Sequence, residues 1–297
     1  MLRPGLRACG TEPGAAWANA ARPQRREAPA PRGPSATGPV LAQPAIISRV
    51  PEPLCIAPRF CGPPQSANGG YFAGLVAAHA QGPVAVRLLR PPPLAVPLEV
   101  RVADDGLIEV LRQGEPVATT RRQPLSVPDV AAPDYLQAVE ASRHCRGLTQ
   151  HPFPTCFVCG PQRARGDGLR IFPGLLESEA SDSGARVAAP WVADDSLDAG
   201  DGKVRPEFMW AALDCPGWFA ASPDARVALL GEFVAHVDRR VHIGERCVVV
   251  GWRIARSGRK HESGTALFDE DLQLCAYARA IWVEPRGPRG GRDENAT

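Results

Sequence analysis

Hydrophobic positions along the chain fall into two kinds of pattern, and their order is repeated. Asn68-Gly69-Gly70 is followed by an unbroken apolar run, Tyr71–Ala80, long enough for about two and a half helical turns. The next runs, Val84–Leu89, Leu98–Val102, Leu107–Leu111 and Pro116–Arg121, have β character. Asp104-Asp105-Gly106 and Gln113-Gly114-Glu115 supply turn residues between them, which predicts hairpins. A proline-rich passage, Pro124 to Pro133, and a short helix over Asp134–Arg143 come next. Beyond them, strands are predicted near Leu169–Phe172 and Arg186–Trp191. A Gly/Asp loop over Asp194–Lys203 leads into an apolar helix from Glu207 to Asp214. Four β-type runs close the series, Val227–Val237, Arg246–Arg256, Lys260–Phe268 and Gln273–Val283, with Asp269-Glu270-Asp271 as the turn between the last two.

Each half thus reads as one helix followed by several antiparallel strands. That predicts an α+β class fold in which an antiparallel sheet wraps a central helix, twice in one chain. The expected divisions are a tail at 1–45, a first repeat at 46–125, a linker with a short helix at 126–155, a second repeat at 156–285 and a tail at 286–297. Both tails are rich in Ala, Pro, Gly and Arg without apolar periodicity, and are expected to be disordered. The internal repeat rests on pattern, because sequence identity between the halves is weak.

Composition narrows the function. With 44% hydrophobic residues in 297, the chain can bury a core. Lys+Arg 34 against Asp+Glu 32 leaves a net charge of +2, which gives no electrostatic case for nucleic acid or an anionic membrane. The longest apolar runs are shorter than the ~20 residues of a spanning helix. No apolar signal segment opens the chain and its nine cysteines are an odd number, so the thiols are expected to be reduced and the location cytoplasmic.

Four segments carry a family resemblance. The stretch from Cys156-Phe-Val-Cys-Gly through Gly168-Leu-Arg-Ile-Phe172 resembles the opening of many hotdog-fold acyl-CoA thioesterases. Trp210-Ala-Ala-Leu-Asp214 resembles the central-helix motif of the phenylacetate-pathway thioesterase branch, where an acidic residue sits on that helix. Asn68-Gly69-Gly70-Tyr71 resembles the start of the same helix in other members, and Leu267 to Ala276 resembles the final hairpin. Together they span roughly residues 58 to 284. The resemblance implies a double hotdog with its site between the two copies, the glycine end of one helix facing an acid from the other. In the family motif the acid lies seven positions after the second glycine, close to two helical turns and so on one face. Counting seven on from Gly70 reaches Ala77; counting seven back from Asp214 reaches Glu207. Each half keeps what the other has lost. One working site is therefore expected from Gly70 and Asp214, and a dead mirror site at Glu207 and Ala77.

The expected activity is hydrolysis of an acyl-CoA-type thioester. A thioester carbonyl becomes an oxyanion in the transition state, and backbone amides at a helix N-terminus can hold it, here Gly70. Asp214 would attack the carbonyl or activate water, and Asn68 would cap the helix or bind the substrate. Gly69 and Tyr71 are candidates for substrate binding, Trp210 and Trp218 for the acyl pocket, and the basic turn Arg259, Lys260, His261 for the coenzyme A phosphates. Plainer roles compete: a capped turn at 68–70, a surface carboxylate at 214, core aromatics and a solvated hairpin end. The Cys156-x-x-Cys159 pair, with His144, Cys145 and His151 upstream, has the residue types of a tetrahedral zinc site. A second C-x-x-C is lacking and the pair also belongs to the opening motif as a turn, so no metal or other cofactor is expected. Cys215, Cys247 and Cys275 are expected in the core. Two rivals are a non-catalytic acyl-ligand binding protein and an enoyl-thioester hydratase; assembly into a homo-oligomer is left open.

Overall fold

The computed structural model describes residues 51–176, 186–222 and 227–286. The tail expected at 1–45, and that at 286–297 apart from Arg286, lie outside the described residues. Helix α1 (Gly69–Ala77) starts where the Asn68 side chain accepts the Tyr71 N–H at 2.9 Å. It is buried from Gly70 to Val76, as expected of a helix apolar on every side. Strands β1 (Val84–Leu88), β2 (Glu99–Val102), β3 (Ile108–Arg112) and β4 (Glu115–Arg122) follow. Gln113 and Gly114 both have positive φ, 52° and 82°, the requirement of a tight two-residue hairpin turn.

In the second half β5 (Gly174–Leu175) and β6 (Arg186–Val192) precede helices α3 (Pro206–Ala212) and α4 (Asp214–Ala221). The short helix α2 (Tyr135–Arg143) lies between the halves in sequence. Strands β7 (Leu229–Val237), β8 (Arg246–Ser257), β9 (Lys260–Phe268) and β10 (Leu274–Val283) complete the fold. The expected strand at Leu169–Phe172 is absent. Those residues form a loop whose Leu169 and Ile171 amides donate to the Phe157 and Val158 carbonyls at 2.8 and 2.9 Å.

All ten strands form one antiparallel sheet in the order β2-β3-β4-β1-β7-β10-β9-β8-β6-β5. The four strands after each helix are arranged alike: first, fourth, third, second. The two first strands meet in the middle, with Val86 opposite Phe233 and Arg87 opposite Glu232. Alternation along the strands sorts the two faces. Cys247, Val249 and Leu267 join the core around the central helices, whereas Val248, Val250, Ala266 and Phe268 form a second cluster with Ala138 and Ala141 of α2. The segment expected as a linker thus covers the outer face. A reciprocal cap between Asp134 and Gln137 starts its helix.

The central helices approach closely through glycine. A Cβ on Gly70 would lie 2.6 Å from the Asp214 Cβ and 2.8 Å from the Trp210 carbonyl oxygen; one on Gly74 would lie 2.9 Å from the Glu207 Cα. Advancing along α1 therefore means retreating along α3, so the two run antiparallel. Tyr71 of α1 stacks on Phe60 at 4.3 Å and on Phe208 of α3 at 5.5 Å between ring centroids, with Phe157 against the same group. Among the described residues no helix is long and apolar enough to cross a membrane. Seven described cysteines are free thiols, but Cys55 is disulfide-bonded, which corrects the expectation that all are reduced.

The helix contact gives a direct test. Gly74→Ala should lower the unfolding free energy by about 1–3 kcal/mol, the usual effect of overpacking. Urea unfolding measures it, and an unchanged midpoint would mean the helices have room to spare.

Candidate functional site

The expected helix ending at Asp214 continues past it, with a break. The Pro216 ring would clash with the Ala212 carbonyl of a continuous helix, so α3 stops at Ala212 and Leu213 forms the joint. In the first turn of α4 the missing proline N–H costs nothing. The Thr265 hydroxyl donates to the Leu213 carbonyl at 2.8 Å and fixes the joint to β9. Asp214 is thereby the first residue of α4, beside the start of α1.

Asp214 is only 2% exposed. One oxygen, Oδ2, accepts the Gly70 N–H at 2.9 Å and the Asn68 side-chain Nδ2 at 2.7 Å. Asn68 thus does two jobs, capping α1 through Oδ1 and holding Asp214 through Nδ2. The other carboxylate oxygen, Oδ1, is buried without a hydrogen-bond partner among the described residues. Burial pushes the Asp214 carboxyl up to about 7 against the pull of the Gly70 N–H, with the neighbouring Cys156 sulfur adding to the rise and the Asn68 bond opposing it.

A cavity of about 350 Å³ opens here, the size of a small-molecule site. Asn68, Gly69 and Asp214 line it, as do Trp218, Leu230 and Trp282. The Gly69 amide has no hydrogen-bond partner among the described residues. Three thiols also line the cavity: Cys156 and Cys159 on one turn, and Cys215 on α4. Their sulfurs lie within 4.8 Å of one another. Hydrogen bonds from Cys159 and Cys215 hold the Cys156 thiol well below its usual range, while burial drives Cys159 and Cys215 well above it.

The remaining expected residues divide. Trp218 lines the cavity, stacked edge-on to Phe219 with the Arg146 guanidinium 5.0 Å from its ring. Arg259 lines the rim and donates to the Glu284 carbonyl at 2.6 Å. Tyr71 and Trp210 do not line the cavity; Tyr71 belongs to the aromatic core and Trp210 packs edge-on to Phe233. Lys260 points to solvent from the start of β9. His261 is buried between the Ala221 carbonyl at 3.2 Å and Glu284 at 2.7 Å. Of the residues expected to form a dead mirror site, Glu207 is buried beside Arg205, 3.5 Å away, and Ala77 packs against the core. His144 is exposed and pairs with Glu140 at 3.2 Å, and Cys145 lies apart from the three thiols. Sequence reasoning did not place Cys156, Cys159, Cys215, His151, Leu230 or Trp282 at the cavity. Only their types gave a signal, because they come from different parts of the chain.

No protein-family model and no curated protein matches the chain. Solved structures do. A proposed thioesterase from Novosphingobium aromaticivorans aligns over 82% of this chain and 100% of its own, at 13% identity and a TM-score of 0.54. A protein of unknown function with a hot dog fold from Alicyclobacillus acidocaldarius aligns over 78% and 92%, at 13% identity and a TM-score of 0.51. The Escherichia coli PaaI protein from the phenylacetic acid degradation operon covers 34% of this chain at a TM-score of 0.33, too slight a likeness to place the chain in that branch. Identities this low speak for fold alone. The chain has an α+β hotdog architecture.

Proposed function

We propose that the chain is a double hotdog hydrolysing an acyl-CoA-type thioester at one site, built by Asn68, Gly69 and Gly70 from one repeat and Asp214 from the other. The observation that carries this is the carboxylate of Asp214, pinned through Oδ2 by the first turn of α1 while Oδ1 stays unpartnered at a small-molecule cavity. The repeated strand order supports two repeats, at 46–125 and 156–285, with the covering segment between them. The likeness of Trp210–Asp214 to the phenylacetate-branch motif, and the description of the Novosphingobium protein, point to a thioester as the substrate.

In this scheme the thioester carbonyl lies against the Gly69 amide at the N-terminus of α1, where the helix dipole favours developing negative charge. The Gly70 amide, the expected oxyanion donor, is engaged with Asp214 and serves to aim it. Oδ1 takes a proton from water as the oxygen adds to the carbonyl carbon. The tetrahedral intermediate then expels the thiolate, which receives that proton, leaving a carboxylic acid and a thiol. Trp218 and Leu230 form the acyl wall, and Arg259 at the rim meets the phosphates of coenzyme A.

Thiol release from short, long and aromatic acyl-CoAs tests the scheme. Asp214→Asn keeps the shape of the side chain and should slow release at least ~100-fold while thermal stability is preserved. No turnover by the wild type on any of these thioesters would sink the hydrolase reading and leave an acyl-ligand binding protein. Asn68→Ala should both reduce turnover and cost about 1 kcal/mol of stability through the lost helix cap, read by paired kinetics and denaturation.

A further inference from the structure

Three thiols converge on one wall of the cavity, and the hydrolytic scheme uses none of them. Cys156 and Cys159 come from the turn at 156–160, closed by the Gly160 N–H on the Cys156 carbonyl at 2.8 Å. Cys215 comes from the first turn of α4. The Cys156 and Cys215 sulfurs are 3.8 Å apart, too far for a disulfide, and all three thiols are free. Two thiolates bound to one tetrahedral zinc at about 2.3 Å stand roughly 3.8 Å apart, so the observed spacing is that of a ligand pair.

The surroundings suit bound thiolates. The Val158 and Cys159 backbone amides donate to the Cys156 sulfur, and Asn68 Nδ2 lies 4.0 Å from it. His151 completes the outer layer. Its Nδ1 accepts the Phe153 N–H at 2.9 Å, so a neutral ring carries its proton on Nε2, which lies 3.2 Å from the Cys159 sulfur and donates to it. Such donors around metal-bound sulfur orient the ligand and spread its charge. A histidine bonded in this way has no lone pair left for the metal.

We infer that Cys156, Cys159 and Cys215 bind one zinc ion, with its fourth position turned to the cavity beside Asp214. Soft sulfur ligands select zinc over magnesium or calcium. Binding displaces the thiol protons and ties the 156–160 turn to α4, the element that carries Asp214.

Elemental analysis of the reduced, full-length protein, purified without chelators, should find about one zinc per chain. Cys215→Ser should lose most of it. Cys247→Ser, which removes a buried thiol outside the trio, should keep it, and so should His151→Gln. Because a cysteine variant that unfolds would lose metal too, cobalt(II) added to the chelated wild type is the second measurement. Sulfur-to-cobalt charge-transfer absorption with intense visible bands marks a tetrahedral thiolate site. Metal-free wild type without those bands, or zinc that Cys215→Ser retains, overturns the site; zinc lost in His151→Gln overturns the open fourth position. None of these readings depends on thioester turnover.

Discussion

Taking a carboxylate out of water costs several kcal/mol, even after the protein relaxes around it. Asp214 can be buried because two N–H donors from a distant segment meet it, and they can meet it only because α1 has glycine where it touches α3 and α4. A side chain at position 70 would push the carboxylate away; one at 74 would part the helices one turn further on. Close helix contact, capped helix start and anchored carboxylate are therefore one arrangement. The aromatic cluster of Phe60, Tyr71, Phe157 and Phe208 clamps it from the side.

The sheet gives that arrangement a stiff support with two unlike faces. Its inner face holds the helices and the cavity. Its outer face is covered over β6, β8, β9 and β10 by α2 and its leading segment. Successive residues of β8 alternate strictly between the two clusters, so a register slip there would put Val248 into the helix core and Val249 under α2. The tie from Thr265 to Leu213 shows why this matters for the site. The helix joint that presents Asp214 is hydrogen-bonded to β9 and inherits its register.

Much of this was legible in the sequence, for local reasons. Gly69 and Gly70 before an apolar run announce a buried helix, and Gln113-Gly114 can adopt the positive φ angles of a tight hairpin. The pairing of Gly70 with Asp214 followed from a family spacing that each half satisfies only in part. What was not legible depended on contacts distant in sequence. Leu169–Phe172 is apolar enough for a strand, yet its amides are used to tie down the turn at 156–160. Cys215 looks like an ordinary core residue until α4 brings it to Cys156. His261 sits in a basic turn by sequence, but β9 enters the interior at that residue, where Glu284 and the Ala221 carbonyl receive its ring. Pro216 contained the signal for a helix break; that a second helix would begin at once, with Asp214 as its first residue, needed the tertiary frame.

The meeting of β1 with β7 has a consequence for how such a molecule can vary. In a twofold pair of identical chains, every substitution is entered twice, once on each side of the axis. Here the two equivalent strand sets share one chain, so each side varies alone. On the proposed double-hotdog reading, Glu207 stands opposite in role to Gly70, and Ala77 to Asp214, each free to differ from its counterpart. A symmetric pair could not lose one glycine and one acid without losing both copies of each. On the proposed double-hotdog reading, the continuous sheet thus permits a division of labour between the halves that symmetry forbids.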